Sequence, residues 1–272
     1  MLKCMIEKEA KKQVRFNLSP SSLNVYYKSP LLFYLQYIAK VPDDTPVPVC
    51  YGLSGGLVHE CLEKYAKQEL DADETYLHFV SKWQRLGLDE SKDLKDQTLN
   101  QTEYLKALIK GIEVINSYNN HVCEEMISFN FKEDENFKIG IKGIIDLQAI
   151  EDNGNYIVVD YKTSNNVNEG KEFERQALFY NLLLHKKKGE IPSKTSFHYL
   201  KLDKVKHYII TKEDLEAFEE ELHAVAEEIL SYGLDISKYP IGDIDDVFNS
   251  KKKACLMEIE RRNMTDVLSN IG

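Results

Sequence analysis

The segment Tyr156-Ile157-Val158-Val159-Asp160-Tyr161-Lys162-Thr163 sets a carboxylate and an ammonium two residues apart. In a β-strand such residues share a face, so Asp160 and Lys162 project side by side while Ile157, Val159 and Tyr161 anchor the opposite face. The pair could act as a metal ligand and a water-activating group, or it could be an ion pair on a solvated face. A second carboxylate bears on that choice. Asp146 lies seven residues before Asn153, and Asp160 lies six after Gly154. Asn-Gly between two alternating runs is a hairpin signal, so antiparallel pairing brings Asp146 and Asp160 together within a register slip. Adjacent carboxylates repel unless a cation sits between them, and a hard divalent ion that prefers oxygen ligands meets that need. The competing reading leaves Asp146 as a solvent-facing residue of an amphipathic strand.

Gln176 and Tyr180 are four apart on a predicted helix from about 171 to 187, hence on one face, where carboxamide and phenol could orient Lys162 or touch a phosphate. His59, in GLSGGLVHE, is a weaker signal, since a lone helical histidine is more often structural than a ligand. Glu125, just ahead of the first strand of the hairpin region, is a further acidic candidate.

The elements that must position these groups follow from hydrophobic period. Residues 1–16 read as a loose charged arm or a short helix. Ser19-Pro20-Ser21-Ser22 reads as a helix start, broken at Pro30 and resumed through Ile38. A helix spans 52–68, entered through a turn containing Gly52, Gly55 and Gly56, with Leu57, Cys61, Leu62 and Tyr65 facing inward. Residues 75–118 stay helical apart from a polar break at 88–96, with Leu105, Leu108, Ile109, Ile112 and Ile115 on the apolar side of the second helix. Strands follow at 126–131, 138–150 and 156–162, then the 171–187 helix and strands at 195–200 and 205–210. Thr211 and Asp214 open a last long helix as a capping box. The tail after Tyr239 has no clear assignment.

Charge does not select a partner. The net charge of −10 excludes a uniformly basic surface, but much of the acidic surplus falls in residues 213–228, and a metal site itself requires carboxylates. The runs Lys186–Lys188 and Lys251–Lys253 could touch a phosphate backbone, although such runs are more often solvated faces. No stretch approaches the about 20 apolar residues of a membrane span, and the charged start lacks a signal-peptide core, so a cytoplasmic location is expected. Cys4, Cys50, Cys61, Cys123 and Cys255 show no paired spacing and read as reduced thiols. Gly52–Gly56 is followed by no Lys-Ser/Thr pair, which argues against ATP binding.

In order along the chain, Gly55-Gly56-Leu57-Val58-His59, Gly143-Ile144-Ile145-Asp146, Asp160-Tyr161-Lys162 and Gln176-Ala177-Leu178-Phe179-Tyr180 resemble the GxxxH, GxxD, DxK and QxxxY motifs of the RecB-type branch of the PD-(D/E)XK nuclease superfamily. The opening segment SPSSLNVYYKSPLLFYLQYI resembles that branch too, and the resemblance covers roughly residues 19–200. It implies a single α/β domain over 1–272, with a restriction-endonuclease-like three-layer core, a central mixed sheet flanked by helices, a helical insertion at about 70–120 and a C-terminal helix and tail from 211.

The same resemblance implies that His59, Asp146, Asp160 and the main-chain carbonyl of Tyr161 bind Mg2+ or Mn2+. Lys162 would position or activate the attacking water, with Gln176 and Tyr180 supporting the site. The implied activity is hydrolysis of DNA phosphodiesters, by analogy exonucleolytic, in recombination, repair or DNA processing. The helical insertion would arch over the site to thread the strand. A non-cutting DNA-binding subunit of a recombination or CRISPR-adaptation complex is the alternative, and an RNA substrate stays open. In one respect the chain departs from many relatives: Ser29-Pro30 stands where they carry a Cys-Pro pair, and Cys255 alone stands in the tail, so no four-cysteine iron–sulfur cluster is expected. Cutting polarity, strand preference, protein partners and oligomeric state are not legible in the sequence.

Overall fold

A computed structural model describes residues 13–167 and 170–269. The elements run β1 (Val14–Leu18), α1 (Pro20–Lys28), α2 (Pro30–Phe33) continued by a π-helical turn at Tyr34–Ile38, α3 (Cys50–Ala66), α4 (Ala72–Arg85), α5 (Gln101–Asn116), β2 (Asn120–Glu133), β3 (Phe137–Ile150), β4 (Tyr156–Lys162), α6 (Lys171–Lys188), β5 (Lys194–Tyr199), β6 (Lys204–Tyr208), α7 (Lys212–Tyr232) and α8 (Lys252–Ser269). The strands form one mixed six-stranded sheet in the order β1-β3-β4-β5-β6, with β2 also paired to β3, and helices flank it. The α/β class and the mixed sheet expected from the sequence are both present.

The described chain forms two compact units. The first comprises the residues up to Val47, then Ser128–Lys142 and the residues from Phe218 onward. Here β1 runs parallel to β3, with Val14 opposite Phe137 and Leu18 opposite Ile141. That strand corrects the expected loose arm for its residues 14–16; residues 1–12, Cys4 among them, lie outside the described residues. Val14, Phe16 and Leu18 alternate with Arg15 and Asn17, a two-residue period that the helix start at Ser19 cuts to a single strand's length. Ser19 does cap α1, accepting from the Ser22 N–H, and Ser29 caps α2 in the same way through Leu32.

The tail that the sequence left unassigned ends in α8, so the 211 helix is not the last one. Cys255 and Ile244 join Leu31, Leu32 and Leu35 in one apolar cluster. Lys251 is buried and pairs with Asp43, while Lys252 pairs with Asp245. Two charges of the Lys251–Lys253 run are thus paired within the unit, and Lys253 is exposed.

The second unit comprises Pro48–Ile127 and Gly143–Ala217. Its core joins Leu57, Val58, Phe79, Trp83, Leu108, Leu147 and Val159, each of which is worth about 1.5–3 kcal/mol when fully buried. Trp83 satisfies its indole N–H with Asp89 at 2.8 Å. Two expectations need correction. Gly52, Gly55 and Gly56 lie inside α3 and do not form a turn before it. On α5 the inward face is Tyr104, Ala107, Leu108, Gly111, Val114 and Ile115, leaving Ile109 exposed, because a Cβ on Gly111 would meet Leu62 at 2.6 Å and the helix turns its side-chain-free position toward α3.

Candidate active site

Every group singled out by the motifs lies in the second unit. β3 and β4 are antiparallel, with Leu147 opposite Val159 and Ile150 opposite Tyr156. One residue beyond Leu147 and Val159 stand Asp146 and Asp160. Both are buried, at 9% and 2% exposure, as polar residues seldom are without a function or a full set of partners.

Two motif glycines explain how the helices reach the strands. A Cβ on Gly143 would lie 2.6 Å from Leu183 Cδ1 and 3.7 Å from the Tyr180 ring, so a side chain at that position requires the buried Leu183 on α6 to shift. A Cβ on Gly55 would lie 2.9 Å from Thr163 Oγ1, so its lack of a side chain lets α3 approach the segment just after Lys162. Each glycine thus sits where one motif's element meets another's.

Asp160 is held from three sides. Its Oδ1 accepts from Gln176 Nε2 at 2.9 Å and from the Tyr180 hydroxyl at 3.0 Å, and its Oδ2 lies 2.6 Å from Lys162 Nζ. Gln176 closes the network, accepting from Lys162 Nζ at 2.9 Å while its Nε2 also donates to the Tyr180 oxygen at 2.6 Å. Phe173 and Phe197 flank the Lys162 ammonium, with ring centroids 4.8 and 5.0 Å away. Gln176 and Tyr180 therefore converge on Asp160 and Lys162, as their spacing suggested.

Asp146 belongs to a second group of donors. Its Oδ2 accepts from the Tyr161 main-chain N–H at 2.9 Å and lies 3.3 Å from His59 Nδ1. His59, Asp146 and Glu124 each offer a ligand atom, and these atoms all lie within 4.8 Å of one another. Tyr161 contributes its backbone here, while its ring packs in the core edge-on to His59.

Glu124 was not foreseen. The sequence offered its neighbour Glu125, placed just ahead of a strand; the strand in fact starts at Asn120, and within it Glu124 has φ +48, a left-handed residue that offsets the facing of the side chains around it. Glu125 bonds instead to Gln148 and Lys187. The sequence signal was the Glu-Glu pair itself; nothing in it says which of the two turns toward His59.

The electrostatics fit a cation. Burial opposes a charge on His59, yet Asp146 and, farther off, Asp160 outweigh it and raise the imidazole to about 9. Burial and then repulsion from Asp146 raise Glu124 to about 7. Burial likewise raises Asp160 against the pull of Lys162. Asp146, although buried, is lowered by His59 and by the Tyr161 N–H. The carboxylates thus favour positive charge at His59, while burial is the first cause of the shifts at Glu124 and Asp160. A carboxylate-rich set with one imidazole is also a donor chemistry that hard and borderline divalent ions accept.

No helix of the described residues is long and apolar enough to cross a membrane. Among curated proteins none matches the chain. The solved structures that resemble it include one from Eubacterium rectale described as a "Putative exonuclease", 11% identical, covering 89% of each chain at a TM-score of 0.48, and the protein SSO0001, 17% identical, covering 76% of this chain and 95% of its own at 0.34. Likeness at those scores bears no weight here. The family model of the PD-(D/E)XK nuclease superfamily, in contrast, matches residues 17–240, which include all four motifs and the strands and helices that carry them. With that match over most of its length, the chain belongs to the PD-(D/E)XK nuclease superfamily.

Proposed function

We propose that this protein is a divalent-metal-dependent deoxyribonuclease of the RecB-type branch, acting from strand ends in recombination, repair or DNA processing. The observation that supports it most is the convergence of Asp146, Asp160 and Lys162, drawn from two strands, with His59 and Gln176 from two helices. His59, Asp146, Asp160 and the Tyr161 main-chain carbonyl would hold Mg2+ or Mn2+, and Glu124 stands ready to join them. Such an ion polarises the scissile phosphate and stabilises the charge that develops on it.

The chain's own groups supply the rest. Lys162 donates to Gln176 and stands beside Asp160 Oδ2 as an ion pair, so an N–H donor remains to orient the attacking water or a phosphate oxygen. Gln176 and Tyr180 fix Asp160 and Lys162 in one geometry, so little reorganisation accompanies the reaction. Burial and the nearby Asp160 hold the Tyr180 hydroxyl far from ionisation, which keeps it a donor to Asp160.

The test is cleavage of end-labelled single- and double-stranded DNA with Mg2+, Mn2+ or EDTA, beside Asp160→Ala and Lys162→Ala. Metal-dependent cutting that both variants lose supports the assignment. Wild-type protein that binds DNA and never cuts it makes the chain a DNA-binding subunit instead. Closed single-stranded circles test end dependence, and their prompt cutting removes that part of the reading.

A further inference from the structure

A second feature lies beyond the same end of β4 and β5. Lys162 pairs with Tyr199 in the parallel register, and the Leu200 N–H donates to the Lys162 carbonyl at 2.9 Å. Just past these residues, Glu103, Lys106, Asn165, Lys201 and Leu202 line an open cleft of about 380 Å3. Asn165 is three residues from Lys162, so their Cα atoms stand at most about 11 Å apart.

The cleft contains cations that carboxylates leave unpaired. Lys201 is half-buried, with Nζ 3.3 Å from the centroid of the Tyr104 ring and 3.2 Å from Asn165 Oδ1. Among the described residues it makes no ion pair, and neither does Lys106. The contrast is Lys110 one turn further along α5, which pairs with both Glu113 and Asp203. Glu103 also faces the cleft, but its carboxylate accepts from Asn100 at the start of α5, where helix amides favour an anion. Burial pushes the Lys201 ammonium down to about 8, with Glu103 pulling the other way, so the position is costly for a cation that has no anion to meet. Asn165, having given its oxygen to Lys201, keeps its amide N–H donors for another acceptor.

We propose that this cleft is a backbone-phosphate subsite in which Lys201, Lys106 and Asn165 hold one phosphodiester of the strand that is cut within a few nucleotides of it at Asp160 and Lys162. The inference rests on the nuclease reading and adds to it a place where the substrate strand is gripped. Its reach matches: 11 Å spans about three nucleotides of a stacked strand at 3.4 Å each. Contacts of this kind fix register and orientation without reading sequence.

The experiment uses the full chain and a fluorescein-labelled single-stranded oligodeoxynucleotide. Anisotropy in EDTA reports binding, and cleavage with Mn2+ reports kcat and KM, each over a series of KCl concentrations. Lys201→Met and Lys106→Gln should each raise Kd and KM several-fold with kcat retained, and each should reduce the slope of log affinity against log salt by about 0.7. Lys201→Arg should keep most of the affinity. A single methylphosphonate linkage near the cut should weaken wild-type binding and add nothing to the defect of Lys201→Met. Lys106 is exposed, so its variant reads the subsite even where Lys201→Met fails to fold. Unchanged KM and salt slope in both variants of an actively cutting protein overturn the subsite and leave the nuclease reading intact. Binding with the expected slopes but no cutting keeps the subsite and removes the nuclease reading. Absence of both binding and cutting overturns the two together.

Discussion

The Tyr161 main-chain N–H donates to Asp146 Oδ2 at 2.9 Å, so the strand carrying Asp160 and Lys162 also orients the carboxylate on the strand beside it. Asn at position 146 can still accept that bond through its carboxamide oxygen, but it brings no charge. Asp146 is lowered and His59 raised by their mutual pairing, so Asp146→Asn strips the imidazole of its carboxylate and should lower stability by about 1–3 kcal/mol. Cleavage should fall about 100-fold or more. Thermal melting beside a cleavage assay checks both; a melting point at or above wild type would show that the pairing with His59 adds nothing to folding.

Gln176 touches Lys162, Asp160 and Tyr180 but no reacting atom, which makes it a positioning residue. Gln176→Leu should lower kcat about 10- to 100-fold and leave KM within experimental scatter. Steady-state kinetics separates this from a binding role, in which KM would carry the change.

Glu124 and Glu125 are neighbours with different surroundings, one beside His59 and Asp146, the other bonded to Gln148 and Lys187. Glu124→Gln should weaken Mn2+ binding about 10-fold or more, whereas Glu125→Gln should leave it unchanged. Isothermal titration with Mn2+ compares them directly. Equal affinities in the two variants would remove Glu124 from the site.

His198, on β5, is lowered to about 4 by burial, with His207, Lys110 and Lys194 adding to the effect. A depressed folded-state pKa contributes stability above the unfolded value, about 6.5, and that stability is lost as pH falls toward 4. One pKa unit corresponds to about 1.4 kcal/mol, and the residue's partial exposure leaves a contribution on the order of 1–2 kcal/mol. Urea denaturation at several pH values should show a shallower loss between pH 6.5 and 4 for His198→Gln than for wild type. Parallel curves would mean that His198 is solvated.

What the sequence determined by itself was local in period or ordered along the chain. The two-residue alternation of β3 and β4 and the Asn153-Gly154 turn set Asp146 opposite Asp160, because a hairpin's register follows from its turn. The four-residue spacing of Gln176 and Tyr180 placed both on the face that meets Asp160. Thr211 and Asp214 do exchange backbone and side-chain hydrogen bonds at the start of α7. The order of the four motifs carried the family.

The tertiary structure decided what depends on distant partners. β1 exists because β3, more than a hundred residues on, offers it a parallel edge, and five residues alone hold too short a pattern to announce that. Burial of Lys251 depends on Asp43, which no local pattern links to it. Glu124 rather than Glu125 faces His59 because one residue of β2 takes a left-handed conformation, and a single inverted φ changes the facing that simple alternation assigns. Gly143 reads in sequence as one more strand glycine. Only the approach of Leu183 shows that a side chain there would displace a core residue of the helix that carries Gln176.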